Sequence, residues 1–246
     1  MKRVWISWAL AAVAALTAIV VWRLACRPRP NVLLITLDTT RADRLGCYGC
    51  AEAGTPALDR LAREGLRFTR ACSHTPLTLP SHATIFTGRY PPEHGLRDNM
   101  HHRLGKDTPT LATKLKALGY RTAAFVASYD LDRQFGLARG FDVYDDRMSP
   151  PAKGDSVYER ENRADVVADR ALAWLAQNAG QPFFCWVHFY DPHAPYDPPP
   201  PFNSNFRNPY DGEIAFMDSQ IGRLLAFLDQ RGLAERTLIV ACADHG

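Results

Sequence analysis

NVLLITL at residues 31–37, followed directly by Asp38, decides the reading of this chain. A second run of the same kind, TLIVAC at residues 237–242, is followed by Asp244 and His245. Apolar runs this short, rich in Val, Ile and Leu, read as strands buried on both faces of a parallel sheet. In an open α/β sheet, ligands bind beyond the carboxyl ends of the strands. Both runs therefore deliver hard oxygen and imidazole donors to one sheet edge. Two carboxylates and a histidine there suit a divalent cation. Either pair alone would read more simply as a turn or a loop.

The segment between them changes that balance. Residues 75–95 read TPLTLPSHATIFTGRYPPEHG. Pro80 suits the first turn of a helix, where a missing N–H costs nothing. Ala83 to Thr87 continue that helix and Gly88 ends it. Thr78 then sits just before a helix N-terminus, where free N–H groups and the helix dipole favour an anion. A hydroxyl beside a metal can lose its proton and become a nucleophile. A lone T-x-P-S would read as a plain N-cap.

Four stretches together resemble the N-terminal half of a sulfatase-family domain in the alkaline phosphatase superfamily. They are NVLLITLDTTRADRLGCYG (31–49), residues 75–95, WVHFYDPHAPYDP (186–198) and YDGEIAFMDSQIGRLLAFLDQRGLAERTLIVACADHG (210–246). The resemblance implies an α/β fold with a mainly parallel sheet and helices on both faces. It also implies one divalent ion (Ca, Mg, Mn or Zn) held by Asp38, Thr78, Asp244 and His245. Thr78 would be the covalent nucleophile and His193 would assist the leaving group. The implied activity is hydrolysis of sulfuric or phosphoric esters.

The chain also departs from the family pattern. Formylglycine sulfatases begin the nucleophile motif with Cys or Ser in the form C/S-x-P-x-R, whereas this chain has Thr78, Leu79, Pro80, Ser81 and His82. Thr cannot be oxidised to formylglycine. The family's Lys-x-His pair has no counterpart near Gly119 to Ser128, and its Asp-Asp pair is here Asp38-Thr39. These differences point toward relatives that move phosphoryl groups, so a phosphoryl transferase acting on an envelope lipid or glycan is the alternative. Family domains run on past the Asp-His-Gly ending, so a truncated, inactive fragment with only a binding role is a third expectation.

Of the remaining histidines, His188 falls within a predicted strand, Phe183 to Phe189, and reads as core. His94, His101 and His102 read as structural or solvated. His82 lies near the nucleophile with no role assigned by the sequence. Asp191 and His193 follow the predicted strand and reach the active edge, where a His can move a proton near neutral pH.

The first thirty residues form a separate unit, a membrane anchor and tether, before the catalytic domain at 31–246. Val4 to Trp22 holds 19 residues without a charge. As a helix it would span roughly 28 Å, against about 30 Å for a bilayer core. Trp5, Trp8 and Trp22 near its ends suit the interface. A transmembrane helix with an extracytoplasmic catalytic domain is expected, with a cleaved signal peptide as the alternative. Pro28 and Pro30 stiffen the tether.

A net charge of +3 is too small to suggest a nucleic-acid partner. The expected partners are the ester substrate and the membrane, and nothing in the sequence sets an oligomeric state. Six cysteines do not form a disulfide framework. Cys47 and Cys50 have C-x-x-C spacing, which leaves one disulfide open. Helices are expected at 55–64, 108–118, 162–178 and 210–230, and a further strand at 121–127. Pro- and Asp-rich loops at 142–155 and 198–208 are placed to rim the active edge.

Overall fold

The computed structural model describes Thr17, residues 29–149 and residues 160–246. The expected anchor, apart from Thr17, and the end of the 142–155 loop lie outside the described residues. Among the described residues, no helix is long and apolar enough to cross a membrane.

Residues 31–246 form one compact unit around a five-stranded sheet. The strands are β1 (Asn31–Leu37), β2 (Arg121–Phe125), β3 (Val143–Asp145), β4 (Phe183–Phe189) and β5 (Thr237–Ala243). Their order is β3-β2-β4-β1-β5, and every pairing is parallel. The apolar runs that precede Asp38 and Asp244 are therefore adjacent strands, with Leu37 beside Ala243. The longer helices are α1 (Pro56–Glu64), α2 (Thr78–Thr87), α3 (Leu111–Ala117), α4 (Ala164–Asn178) and α5 (Pro209–Gln230).

Side chains alternate across each strand, and this divides the core in two. Leu33, Ile35 and Leu37 of β1, with Phe183, Cys185, Val187 and Phe189 of β4, pack with residues of α1, α4 and α5. Leu34, Phe184 and Trp186 pack on the other face with Leu79, Ala83 and Phe86 of α2 and Ala112 of α3. Helices thus cover both faces, as expected. Strand β5 differs: it is an outer strand, with Leu238 56% and Val240 39% exposed.

Several boundaries differ from the sequence reading, and three of the shifts have a clear local reason. Thr78 is the first residue of α2 rather than the residue before it, and Leu77 takes the cap position in extended backbone. Helix α3 begins at Leu111 because Thr110 caps it, its hydroxyl accepting from the Thr113 N–H. Strand β2 stops at Phe125, since β3 pairs with it only through Ala123, Ala124 and Phe125. Gly88 ends α2 as expected, in the left-handed conformation at φ 66°. Cys47 and Cys50 are both free thiols.

Candidate active site

The second face of the sheet turns polar at its carboxyl edge. Along β1 that face carries Leu34, then Thr36, with Asp38 next in the same alternation. Along β4 it carries Phe184, Trp186 and His188, and Thr36 lies beside His188 in the register. Past β5 the same alternation leads to Asp244. Helix α2 lies over this edge and adds Thr78 and His82. All six polar residues, Thr36, Asp38, Thr78, His82, His188 and Asp244, are buried.

Backbone bonds hold the two carboxylates. The Asp38 N–H donates to Phe189 O at 2.9 Å, and the Asp244 N–H reaches Leu37 O at 3.4 Å. Asp244 Oδ1 accepts from the N–H of Thr39 at 3.2 Å and of His245 at 2.7 Å. Thr39 sits at φ 48°, a sparsely populated conformation for a β-branched residue. Tyr210 stabilises that turn: its hydroxyl donates to Thr39 O at 2.7 Å and accepts from the Arg41 N–H at 2.9 Å. The Ser81 hydroxyl donates to Asp244 O at 2.6 Å, which ties α2 to the end of β5.

Thr78 donates its hydroxyl to Asp38 Oδ2 at 3.1 Å. It is therefore not spent on capping its own helix. Asp38, Asp244 and His245 each offer a donor atom, and these atoms lie within 4.8 Å of one another. Asp38 Oδ1 and Asp244 Oδ2 are buried with no hydrogen-bond partner. Burial pushes the acidity of both carboxyls down, raising their pKa well above the usual range, and the Asp38 charge raises Asp244 further. Two buried carboxylates with unpartnered oxygens, next to an imidazole, fit a hard or borderline divalent cation. The expected Asp38, Thr78, Asp244 and His245 are thus brought together.

His193 lies close by. Burial lowers the pKa of both His193 and His245, and the nearness of His193 lowers His245 further. The His193 ring stacks on Tyr190 at 4.3 Å between centroids. Its Nδ1 donates to Ala194 O at 2.7 Å, so its other ring nitrogen, Nε2, is not used in that bond. Buried carboxylates pin both ends of its loop. Asp191 Oδ1 accepts from the Ala164 N–H at 2.9 Å, and Glu213 Oε1 accepts from the Asp197 N–H at 2.7 Å.

Burial pushes Asp191, Glu213 and Glu161 each up to about 7, and mutual repulsion adds to it. The unfolded chain holds fewer of these protons between about pH 4 and 7. Stability is therefore expected to fall as pH rises through that window. Urea unfolding at pH 5 and pH 8 checks this, and Glu213→Gln should lessen the difference. An unchanged difference would remove Glu213 from the cause.

Four further residues reach the site that the sequence reading did not assign to it. His82 donates from Nδ1 to Thr78 O at 2.8 Å, and its Nε2 meets the Thr36 hydroxyl at 3.0 Å. Thr36 in turn accepts from Trp186 Nε1 at 2.9 Å. His188, read from the sequence as core, is buried but has Nε2 3.5 Å from Asp38 Oδ2. Burial pushes its pKa down to about 3. Asn99 accepts from the Leu79 N–H at 3.0 Å and donates to Asp130 Oδ2 at 2.9 Å. One N–H of the helix end expected to face an anion is thus already engaged. The polar step along an otherwise apolar strand, Trp186 to His188, was the signal available for His188.

Comparison with known proteins bears on this geometry. The sulfatase family model matches residues 30–246. The dog N-acetylgalactosamine-6-sulfatase is 30% identical over 88% of this chain and 50% of its own length. The mouse steryl-sulfatase is 27% identical over 90% of this chain and 52% of its own length. The chain spans about half the length of these curated relatives. Among solved structures, the phosphonate monoester hydrolase of Agrobacterium radiobacter superposes with a TM-score of 0.73 at 23% identity, covering 89% of this chain and 63% of that one. A structure in complex with its substrate D-glucosamine-2-N,6-O-disulfate superposes with a TM-score of 0.72 at 20% identity, covering 88% and 65%. At these identities the two superpositions speak for the fold alone. The match over residues 30–246 decides the family: the chain belongs to the sulfatase family.

Proposed function

We propose that the protein is a metal-dependent hydrolase of sulfuric or phosphoric esters with Thr78 as its nucleophile. The observation that carries this reading is the Thr78 hydroxyl, 3.1 Å from Asp38 Oδ2 at the start of α2. Asp38, Asp244 and His245, with the Thr78 oxygen, would hold the cation. When bound, a divalent cation there lowers the pKa of an adjacent hydroxyl and offsets charge on the group being transferred.

The chain's own residues divide the remaining work. Asp38 holds the Thr78 hydroxyl proton and is placed to receive it. The Thr78 oxygen attacks sulfur or phosphorus, and the bond to the ester oxygen breaks. His193, protonated at Nε2, gives that proton to the leaving oxygen. Water then attacks the sulfur or phosphorus carried on Thr78 while His193 takes a proton from it; the bond to the Thr78 oxygen breaks, sulfate or phosphate leaves, and Asp38 returns its proton to the Thr78 oxygen. The Nε2 of His193, not used in the bond to Ala194, and the stacking of the ring on Tyr190 support this assignment.

A second reading, phosphoryl transfer to an envelope lipid or glycan, is favoured by one observation. The nucleophile position holds Thr78, which cannot become formylglycine. A formylglycine hydrate expels sulfate by collapsing to the aldehyde, and a threonine ester has no such route. The proposed setting is extracytoplasmic, with residues 4–22 as a membrane anchor, on the strength of their uncharged length.

Paired assays with aryl sulfate and aryl phosphate esters, each with Mg²⁺, Ca²⁺, Mn²⁺ or Zn²⁺, test these readings. Turnover of either ester that chelation removes is the expected result. Product formed only when a lipid or glycan acceptor is added would favour the transferase. Turnover indifferent to every cation would overturn the metal assignment.

A further inference from the structure

We infer that His188 is a positioning residue that orients the Asp38 carboxylate and leaves its outer oxygen for a cation. The inference rests on the cation site proposed above.

The starting point is the alternation along β4. Phe184 and Trp186 share a face and go into the apolar core. His188 is the next residue on that face and is fully buried. A residue needed only for packing there would follow the apolar pattern, because burying an imidazole strips water from two polar nitrogens. One nitrogen is accounted for: Nδ1 accepts the Ala127 N–H at 3.2 Å. A neutral imidazole with Nδ1 as acceptor carries its proton on Nε2. That Nε2–H has no hydrogen-bond partner and lies 3.5 Å from Asp38 Oδ2. At that distance it is poised for a bond rather than making one.

Asp38 is the natural acceptor. Its Oδ2 already takes the Thr78 hydroxyl, while Oδ1 has no partner. Two donors on one side of the carboxylate fix its rotation and leave Oδ1 as the open donor atom. Partners of this kind, one bond removed from a metal, orient its ligands and raise affinity.

His82 provides the contrast. It is equally buried, and its ring lies 4.9 Å from that of His188. Both of its nitrogens are engaged, by Thr78 O and by the Thr36 hydroxyl. His82 is satisfied by the fold, whereas His188 keeps one unpartnered donor that faces Asp38.

The test is calorimetric titration of the full chain with MnCl₂, with thermal melts to establish folding. His188→Gln retains a donor that reaches Asp38 and should bind within about threefold of wild type. His188→Phe keeps the ring and loses both nitrogens. It should bind about 10- to 100-fold more weakly. His188→Asn can still accept from Ala127 but cannot reach Asp38, and it should weaken binding like Phe. If the Phe variant does not fold, the Gln and Asn pair decides the question. Equal affinities of Gln and Asn, or a folded Phe variant that binds as tightly as wild type, would overturn the positioning role. No Mn²⁺ binding by wild type would instead overturn the cation site and this inference with it.

Discussion

Thr78→Ala is expected to reduce ester turnover by on the order of 10⁴-fold or more, the scale seen when a covalent nucleophile is removed. Its fold should persist, because the Thr78 side chain spends its hydroxyl on Asp38 and not on a helix cap. Thr78→Ser keeps the hydroxyl on the same carboxylate and should retain part of the activity. Intact-protein mass spectrometry after a short pulse of phosphate ester should place a phosphoryl group on the peptide containing Thr78. The same experiment with a sulfate ester tells which group is carried. Full activity in Thr78→Ala would sink the mechanism.

Asp38→Asn should weaken binding of Mn²⁺ by at least about 100-fold, more than loss of a neighbouring positioning group. Without a cation, the same substitution should stabilise the chain. Burial raises the pKa of Asp38 above its unfolded value, and Asp244 is raised by burial and by the Asp38 charge. A carboxyl raised in this way favours the fold at low pH and ceases to as pH rises through the folded pKa. In the presence of chelator, wild type should therefore lose stability between about pH 5 and 9, and Asp38→Asn should lose less. Thermal melts across that range, with chelator and with Mn²⁺, measure both effects. A variant that binds Mn²⁺ like wild type would remove Asp38 from the site. One that melts no higher than wild type above pH 7 in chelator would show that the buried charge is tolerated.

The two effects have one origin. A site that must receive a cation keeps unpartnered oxygens away from water, and that arrangement opposes folding until charge of opposite sign arrives. In the proposed cation site, Asp38 Oδ1 and Asp244 Oδ2 are buried oxygens of this kind. The strained turn at Thr39 belongs to the same arrangement, because Tyr210 and Asp244 hold it from outside the turn.

Much of this was legible along the chain. Short apolar runs ending in Asp38 and in Asp244-His245 specify strands and their polar ends, because short runs rich in Val, Ile and Leu suit extended backbone; the burial they imply holds for β1 and not for β5, which is partly exposed. Pro80 and Gly88 delimit α2 through their own backbone restrictions. The fold class and the Asp38, Thr78, Asp244 and His245 set follow from these local rules together with family resemblance. Helix α3 shows their limit. The sequence reading starts this helix at Thr108, and the bond between the Thr110 hydroxyl and the Thr113 N–H sets the cap at Thr110 instead.

His188, His82 and Asn99 needed the tertiary structure. Each acts through a neighbour far away in sequence: His188 on Asp38, His82 on Thr36 and Asn99 on Asp130. The strand order β3-β2-β4-β1-β5 places β4 next to β1, and that adjacency sets His188 beside Thr36. Local sequence determined the elements and the polar residues at the ends of β1 and β5 and at the start of α2, because propensity and periodicity act over a few residues. The pairing of strands decided which of those residues meet, because a buried polar group finds its partner only once long-range packing has brought the two together.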